Sequence, residues 1–450
     1  MTAEVVILNK IAAAMAADSK GTIRVGGAVK THDTLNKLFT LSKYHPVGVM
    51  IYGNAEAMGM PWETVIKVYR DRLRNKALRK LNNYAYDFLF SLVHDYESSP
   101  KRQRDNVYWT SRDFFERVLD RAYLLREQSI GDNAEISQDD AVEAAYRTWS
   151  HAVEDARILY GFGDIDSAEL RVMYADEIGE AYRVVFEGVT KKNFLDLFVS
   201  TACEALRRRQ FSDSSSGLVF SGFGDAELFP AMKSYALDGV VAGRLRGMTT
   251  SKHAISDSTT AYIRPFAQDE MVIRFMEGID PDYRVYLQHA THVFAQDLVS
   301  TIIDSYGKGT PRAKTAIKRD LSKLVEESVE EMIRNAAEYR QEYFVAPITG
   351  MAQMLPKEDL ANLAESLVNL TSLKRRMSLD EESVGGPIDV AVISKGDGFI
   401  WIKRKHYFSV DLNKTFMENY FRRYITGEGE TGHDRHAKRT TAARQRRRRA

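Results

Sequence analysis

The chain has 450 residues and a mass of 51.1 kDa, with 44% apolar residues, 28% charged residues and a formal net charge of +1. That length allows two or three domains, or one core carrying a large insertion. The ordinary apolar content excludes wholesale disorder and collagen-like structure, the single cysteine excludes a disulfide scaffold, and no apolar run reaches the ~18 residues of a membrane span.

Cys203 cannot pair within the chain, which points to a reducing compartment. The first 17 residues superficially resemble a secretory signal, but Glu4 and Lys10 interrupt them and Asp18 closes them, so a cytoplasmic protein with no membrane contact is expected. The near-zero net charge conceals an asymmetry. Residues 433–450 carry eight Lys and Arg against Asp434 alone, which leaves 55 basic and 61 acidic residues and a formal charge of −6 on the rest. A tail so poor in apolar side chains is expected to be disordered, either as a solubilising end or as a contact for a polyanion.

The pattern predicts strands first. Val5 to Leu8 is apolar and β-branched, Asn9-Lys10 can form a two-residue turn, and residues 11–17 return as a strand of small side chains. A second pair is expected over residues 34–41 and 47–52, bent at His45-Pro46. From Pro61 the period becomes helical and stays so to about Arg209, with Ser137-Gln-Asp-Asp140 as an N-cap signature. The linker Ser212-Asp-Ser-Ser-Ser-Gly217 ends that region. Strands are predicted again over 218–223, 236–243 and 262–266, helices from Asp269 to Met377, and two closing strands over 389–394 and 399–408 about the turn Gly396-Asp-Gly398. There is no internal repeat. The resulting organisation is α+β, with a core of residues 2–60 and 216–430, a helical insertion of 61–215 and a basic tail of 431–450.

The most informative chemistry is positional. Thr2 follows Met1, and removal of Met1 would leave a residue carrying a hydroxyl nucleophile and an α-amine together. That amine has a reference pKa of about 7.7–8.0 and can take the hydroxyl proton near neutrality. Asp18 lies sixteen residues further on, in Ala-Ala-Met-Ala-Ala-Asp18-Ser-Lys20-Gly-Thr22. Lys37 follows in Asn36-Lys37-Leu38-Phe39, and then an apolar strand ends in the turn Tyr52-Gly53-Asn54.

These four features, in this order, resemble the N-terminus of proteasome β-subunits and of HslV-like threonine hydrolases of the N-terminal-nucleophile superfamily. The resemblance covers about 60 N-terminal residues. It resumes loosely over about 200 C-terminal ones, in Val219-Phe-Ser-Gly-Phe-Gly-Asp225 and in Val384-Gly-Gly-Pro-Ile-Asp389. It implies a four-layer αββα sandwich with no cofactor or metal, acting on a peptide or amide substrate, in a homo-oligomer where the family assembles.

Carried over residue by residue, the resemblance makes Thr2 the nucleophile. Lys37 would lower the pKa of its hydroxyl, Asp18 would hold Lys37 charged, and a backbone N–H at or beside Gly53 would stabilise the oxyanion. Lys20 and Thr22 would hold the substrate backbone. The chain also departs from the pattern. Pro265-Phe-Ala-Gln268 lacks the family's helper serine. Val384 occupies a second serine position with Ser383 beside it, and the accompanying acid is Glu381, or Asp380 in a shifted register. These losses leave open a catalytically inactive protein of the same fold, binding a partner through its helical insertion and basic tail. A nucleic-acid binder driven by the tail alone ranks behind both. His289 and His292 have helical spacing but no obvious third metal ligand, Gly307-Lys-Gly-Thr lacks phosphate-loop spacing, and Cys203 sits in an apolar helical pattern.

Overall fold

A computed structural model describes residues 2–25, 28–131, 136–307, 310–378 and 384–406, with 408, 409, 411–415 and 418. Two compact units are distinguished, residues 1–404 and 405–450; in the second, the described residues include a short 3-10 turn, Asp411–Asn413.

In the first unit the strands β1 (Ala3–Asn9), β2 (Ala12–Ala17), β3 (Gly21–Val25), β4 (Ala28–His32), β5 (Leu38–Thr40) and β6 (Val47–Gly53) come first. A two-residue ladder, β7 (Glu56–Ala57) and β8 (Met60–Pro61), leads into the helices α1 (Trp62–Leu73), α2 (Leu81–Glu97), α3 (Pro100–Gly131), α4 (Gln138–Asp155), α5 (Ser167–Phe186) and α6 (Leu195–Arg207). Then come β9 (Ser216–Gly222), β10 (Ala231–Val241), β11 (Arg244–Ala254) and β12 (Ala261–Ala267). The helices α7 (Glu270–Glu277), α8 (Pro281–Tyr306), α9 (Pro311–Arg340), α10 (Ala346–Met354) and α11 (Lys357–Met377) follow, with a π turn, Gln341–Val345, between α9 and α10. The strands β13 (Asp389–Ser394) and β14 (Gly398–Lys403) close the unit.

The fold is mixed α and β with antiparallel sheets. One sheet has the order β12-β1-β2-β13-β14 and a second has β11-β10-β9-β6-β5. Strand alternation gives each sheet two buried faces. Val6, Leu8, Ala13 and Met15 of the first sheet pack with Met50, Val219 and Met232 of the second. On its other face the first sheet packs Val5, Ile7, Ala14 and Ala16 against Leu360, Ala364 and Leu367 of α11. The run of alanines in β2 has this cause, because it is buried throughout and lets α11 approach closely. The second sheet packs Val49, Ile51 and Phe220 against Trp62 and Ile66 of α1 and Tyr84 and Phe88 of α2.

The helices of residues 61–215 therefore fall into two groups. α1 and α2 cover the second sheet, while α3 to α6 gather around Phe115, Trp149 and Phe198 in a cluster of their own. Among the described residues between 61 and 209, strand-type pairing is confined to Pro61 in β8 and an isolated bridge between Ile158 and Arg208, neither of which extends the two large sheets.

Several elements differ from the sequence expectation. The first turn is Lys10-Ile11 and not Asn9-Lys10: β1 includes Asn9, whose side-chain oxygen accepts from the N–H groups of Ile11 (2.9 Å) and Ala12 (3.0 Å). The expected strand over 34–41 is only Leu38–Thr40, and the unpredicted hairpin β3–β4 precedes it. The expected end at residue 408 falls at Lys403. β11 was missed because Thr249, Thr250 and Lys252 give it a polar, half-exposed edge pattern. Its hairpin turn is Ala242-Gly243, with both residues at positive φ (50° and 69°), as a tight two-residue connection requires.

Arg246 ties this hairpin to the helical cluster. It is fully buried, donates to the carbonyls of Ala205 and Leu206 on α6 and of Gln210 (2.6 Å), and pairs with Asp238 on β10 at 3.0 Å. Asp238 in turn accepts from the Ser212 N–H and hydroxyl. Removing one partner of a buried pair strands the other charge, at about 3–5 kcal/mol. Arg246→Ala is therefore expected to lower unfolding free energy by that amount in urea titration, whereas the exposed pair partner Arg319, changed to Ala, should cost less than about 1 kcal/mol.

Candidate active site around Asp18 and Lys37

The centre of the site is the carboxylate of Asp18, at the end of β2. Its Oδ1 accepts from the Ala3 N–H (3.0 Å) and from the Lys37 ammonium (2.7 Å). Its Oδ2 accepts from the N–H groups of Lys20 (3.2 Å) and Gly385 (3.0 Å). Asp18 and Lys37 are both buried, at 1% and 5% exposure, so the pair is held out of water with its lone pairs satisfied. A second bond from Lys37 to the Lys20 carbonyl (2.6 Å) fixes the ammonium.

Local structure explains the convergence. The Asp18 N–H donates back to Ala3 O (3.1 Å), so the chain leaves β2 beside the start of β1. Lys37 stands just before β5, and its carbonyl accepts from Ile51 on β6 (2.9 Å). Gly385 reaches Asp18 with a φ of 153° that favours glycine. The neighbouring Ser19 N–H donates to Gly385 O (3.1 Å) and its hydroxyl to Pro387 O (2.5 Å).

The structure thus brings together Asp18, Lys37, the backbone of Lys20 and the peptide that joins Thr2 to Ala3. Thr2 is buried, at 4% exposure, and its carbonyl accepts from Gln268 N–H (3.0 Å). Gly53 stands at the end of β6, two residues beyond Ile51, with φ 78°; a Cβ there would meet Ser215 O at 2.5 Å. Lys20 is buried, with its ammonium 4.0 Å from Asp33. Thr22 lies on β3 with its side chain outside the described residues, as are Glu381, Ser383 and Asp380 altogether.

One residue of the site was not anticipated. Glu4 shares the strand face of Thr2, Val6 and Leu8, which points between the two sheets. It is fully buried and neither carboxyl oxygen has a hydrogen-bond partner among the described residues. Burial pushes its carboxyl well above the ordinary range, the Lys37 ammonium opposes that, and the Asp18 carboxylate adds to it. Glu4 and burial also raise the phenol of Tyr52 on β6, burial being the larger cause. The signal in the sequence was a lone acid opening an apolar strand, two residues from the candidate nucleophile.

No family model matches the chain, and no curated protein matches it. Among solved structures it is similar to an Anbu (Gly-1) mutant from Hyphomicrobium sp. strain MC1, at 9% identity and a TM-score of 0.25, over 95% of this chain and 97% of that one. A likeness at that level carries no argument about fold or chemistry. The resemblance to proteasome β-subunits and HslV-like hydrolases drawn from the N-terminal residues is corrected accordingly. Four residue positions in order are a small fraction of 450, and no family model recognises the remainder. The chain is not assigned to that superfamily, and the site stands on its own geometry.

Glu4 yields a test with a defined sign. A carboxyl whose pKa is raised by folding contributes stability that is fully present below the unfolded value and is lost as pH rises from there toward the folded value. Wild-type urea midpoints should therefore fall as pH rises above the ordinary carboxyl range, and Glu4→Gln should flatten that fall and be the more stable protein at the upper end. Equal pH slopes for the two proteins would show instead that Glu4 is ionised and paired.

Proposed function

We propose that the chain is an N-terminal-threonine hydrolase that cleaves an amide bond in a peptide or small amide. The observation that carries this reading is the buried Lys37–Asp18 pair, whose shared oxygen also accepts from the peptide N–H next to Thr2. In this reading the fixed cation beside the Thr2–Ala3 peptide stabilises the alkoxide that develops on the Thr2 hydroxyl.

The reaction follows from the atoms present once Met1 is removed. The Thr2 amine accepts the Oγ1 proton, and Oγ1 bonds to the substrate carbonyl carbon. Lys37 stabilises the negative charge formed on Oγ1, while the four hydrogen bonds to Asp18 hold that carboxylate, and Lys37 with it, in place. The backbone N–H at Gly53 donates to the oxyanion. The protonated amine then releases its proton to the leaving nitrogen as the C–N bond breaks. Water, deprotonated by the same amine, adds to the ester carbon; the C–Oγ1 bond then breaks, Oγ1 takes the proton back from the amine, and the acid product leaves. Lys20 and Thr22 hold the substrate backbone alongside.

The same reading takes the two sheets and their flanking helices as a four-layer αββα sandwich, with residues 61–215 as a helical insertion shaping access. The burial of Thr2 favours a second reading, in which the chain is a catalytically inactive scaffold that binds a partner through the insertion and the basic tail.

Two measurements separate these readings. Intact-mass analysis of native protein should show a chain beginning at Thr2. A peptide vinyl sulfone should then add one equivalent at Thr2, with labelling reduced at least ~10³-fold in Thr2→Ala and partly retained in Thr2→Ser. A preparation that keeps Met1 and reacts equally would end the mechanism. Lys37→Met should also abolish labelling, but it strands the Asp18 charge at a cost of about 3–5 kcal/mol, which makes Thr2→Ala the cleaner variant.

A further inference from the structure

The long hairpin formed by α8 and α9 is not explained by any of this. The two helices have 26 and 30 residues and pack chiefly on each other. Buried side chains are few: Ala295, Val299 and Ile303 on α8 and Val329 on α9. Two helices alone cannot cover an apolar face all round.

Each helix leaves such a face open. On α8, Tyr283, Leu287, Phe294, Leu298 and Ile302 are exposed, Phe294 at 68%. Their spacing of four, seven, four and four residues places them on one side of the helix. On α9, Ile317, Leu324, Met332 and Tyr339 are exposed at intervals of seven, eight and seven residues, which again is a single stripe. Single exposed apolar residues are ordinary, but two parallel rows on neighbouring helices are not.

Charge identifies what covers them. From Pro311 to Lys323, α9 carries Arg312, Lys314, Lys318, Arg319 and Lys323 against Asp320, a formal +4. From Glu326 to Arg340 it carries Glu326, Glu327, Glu330, Glu331 and Glu338 against Arg334 and Arg340, a formal −3. This runs opposite to the preference of an isolated helix, which favours acids at its N-terminus and bases at its C-terminus. The order is therefore unfavourable within one helix and favourable against an antiparallel copy of the same helix. Antiparallel pairing sets the positive half of each α9 on the negative half of the other, while parallel pairing sets like on like.

We propose that the exposed face of the α8–α9 hairpin is a homodimer interface, in which two copies of this chain dock across a two-fold axis passing near Leu324 to form a four-helix bundle. The symmetry follows because one patch meets itself. The size is adequate: 26 residues of α8 span about 39 Å, and a face two helices wide at ~9 Å per helix presents about 700 Å² per copy, close to the ~800 Å² of a stable interface. Leu, Ile and Phe rows facing one another across such a bundle have ordinary core chemistry.

The experiment uses the full chain. Light scattering on a sizing column should give the dimer mass, twice 51.1 kDa, for wild type. Leu324→Glu and Leu298→Glu should both give the monomer, with unchanged circular dichroism because both side chains are exposed. Cysteine variants test the axis, since the native Cys203 is buried. Under mild oxidation Leu324→Cys should give a covalent dimer and Tyr339→Cys should not, because an antiparallel pair brings only the central position next to itself. A wild-type monomer would overturn the proposal, as would an oligomer that survives both Glu variants. Self-linking of Tyr339→Cys equal to that of Leu324→Cys would overturn the antiparallel geometry. A monomer that sediments with phosphatidylcholine vesicles would overturn it in favour of a lipid surface.

Discussion

The structure around Thr2 depends on one buried carboxylate. Asp18 binds four donors from four separate places: the start of β1, the turn that follows β2, the residue before β5, and the loop that leads into β13. A buried anion is costly unless each of its lone pairs finds a proton. The requirement works in both directions. Satisfying Asp18 draws together segments more than 360 residues apart in sequence, and their convergence buries Lys37 beside the Thr2–Ala3 peptide.

The same enclosure makes Glu4 unusual. Asp18 is supplied with donors, whereas Glu4, two residues from Thr2 and equally buried, is supplied with none among the described residues. Two carboxyl groups near one ammonium cannot both be ionised in a low-dielectric space without repulsion. The environment treats them differently: Asp18 is fully hydrogen-bonded, while burial, opposed by the Lys37 ammonium and helped by the Asp18 carboxylate, pushes the Glu4 carboxyl well above the ordinary range. Burial and Glu4 together raise the phenol of Tyr52.

Away from the site, the helical mass is organised by what each helix can cover. α1 and α2 have an apolar face that the second sheet needs, and they bury it there. α3 to α6 bury theirs on each other and on Val241 at the end of β10, around a group of aromatic rings 5–6 Å apart. Arg246 adds a polar tie to the sheet, bonding three carbonyls at the end of α6 and beyond, together with a carboxylate on β10. The α8–α9 hairpin packs chiefly on itself among the described residues and keeps its stripes exposed.

Local pattern in the sequence was sufficient for the alternating, apolar strands β1, β2, β6, β9 and β13, and for the long helical regions, since a period of two or of 3.6 is a property of neighbouring residues. Thr2, Asp18, Lys37 and the Gly385-Gly386 turn were singled out by their order and spacing taken together through a resemblance, which local pattern alone does not supply. β11 escaped because an edge strand with a wet face loses the alternation that marks a strand, and β3–β4 because its hairpin carries no apolar run. The division of residues 61–215 into a sheet-covering pair and a separate cluster could not be read from period alone, because every one of those helices is amphipathic and only the packed partner distinguishes them. Glu4 was legible as a residue but not as a site member. A carboxylate's protonation depends on which donors reach it, and those donors come from elements that meet only in the folded chain.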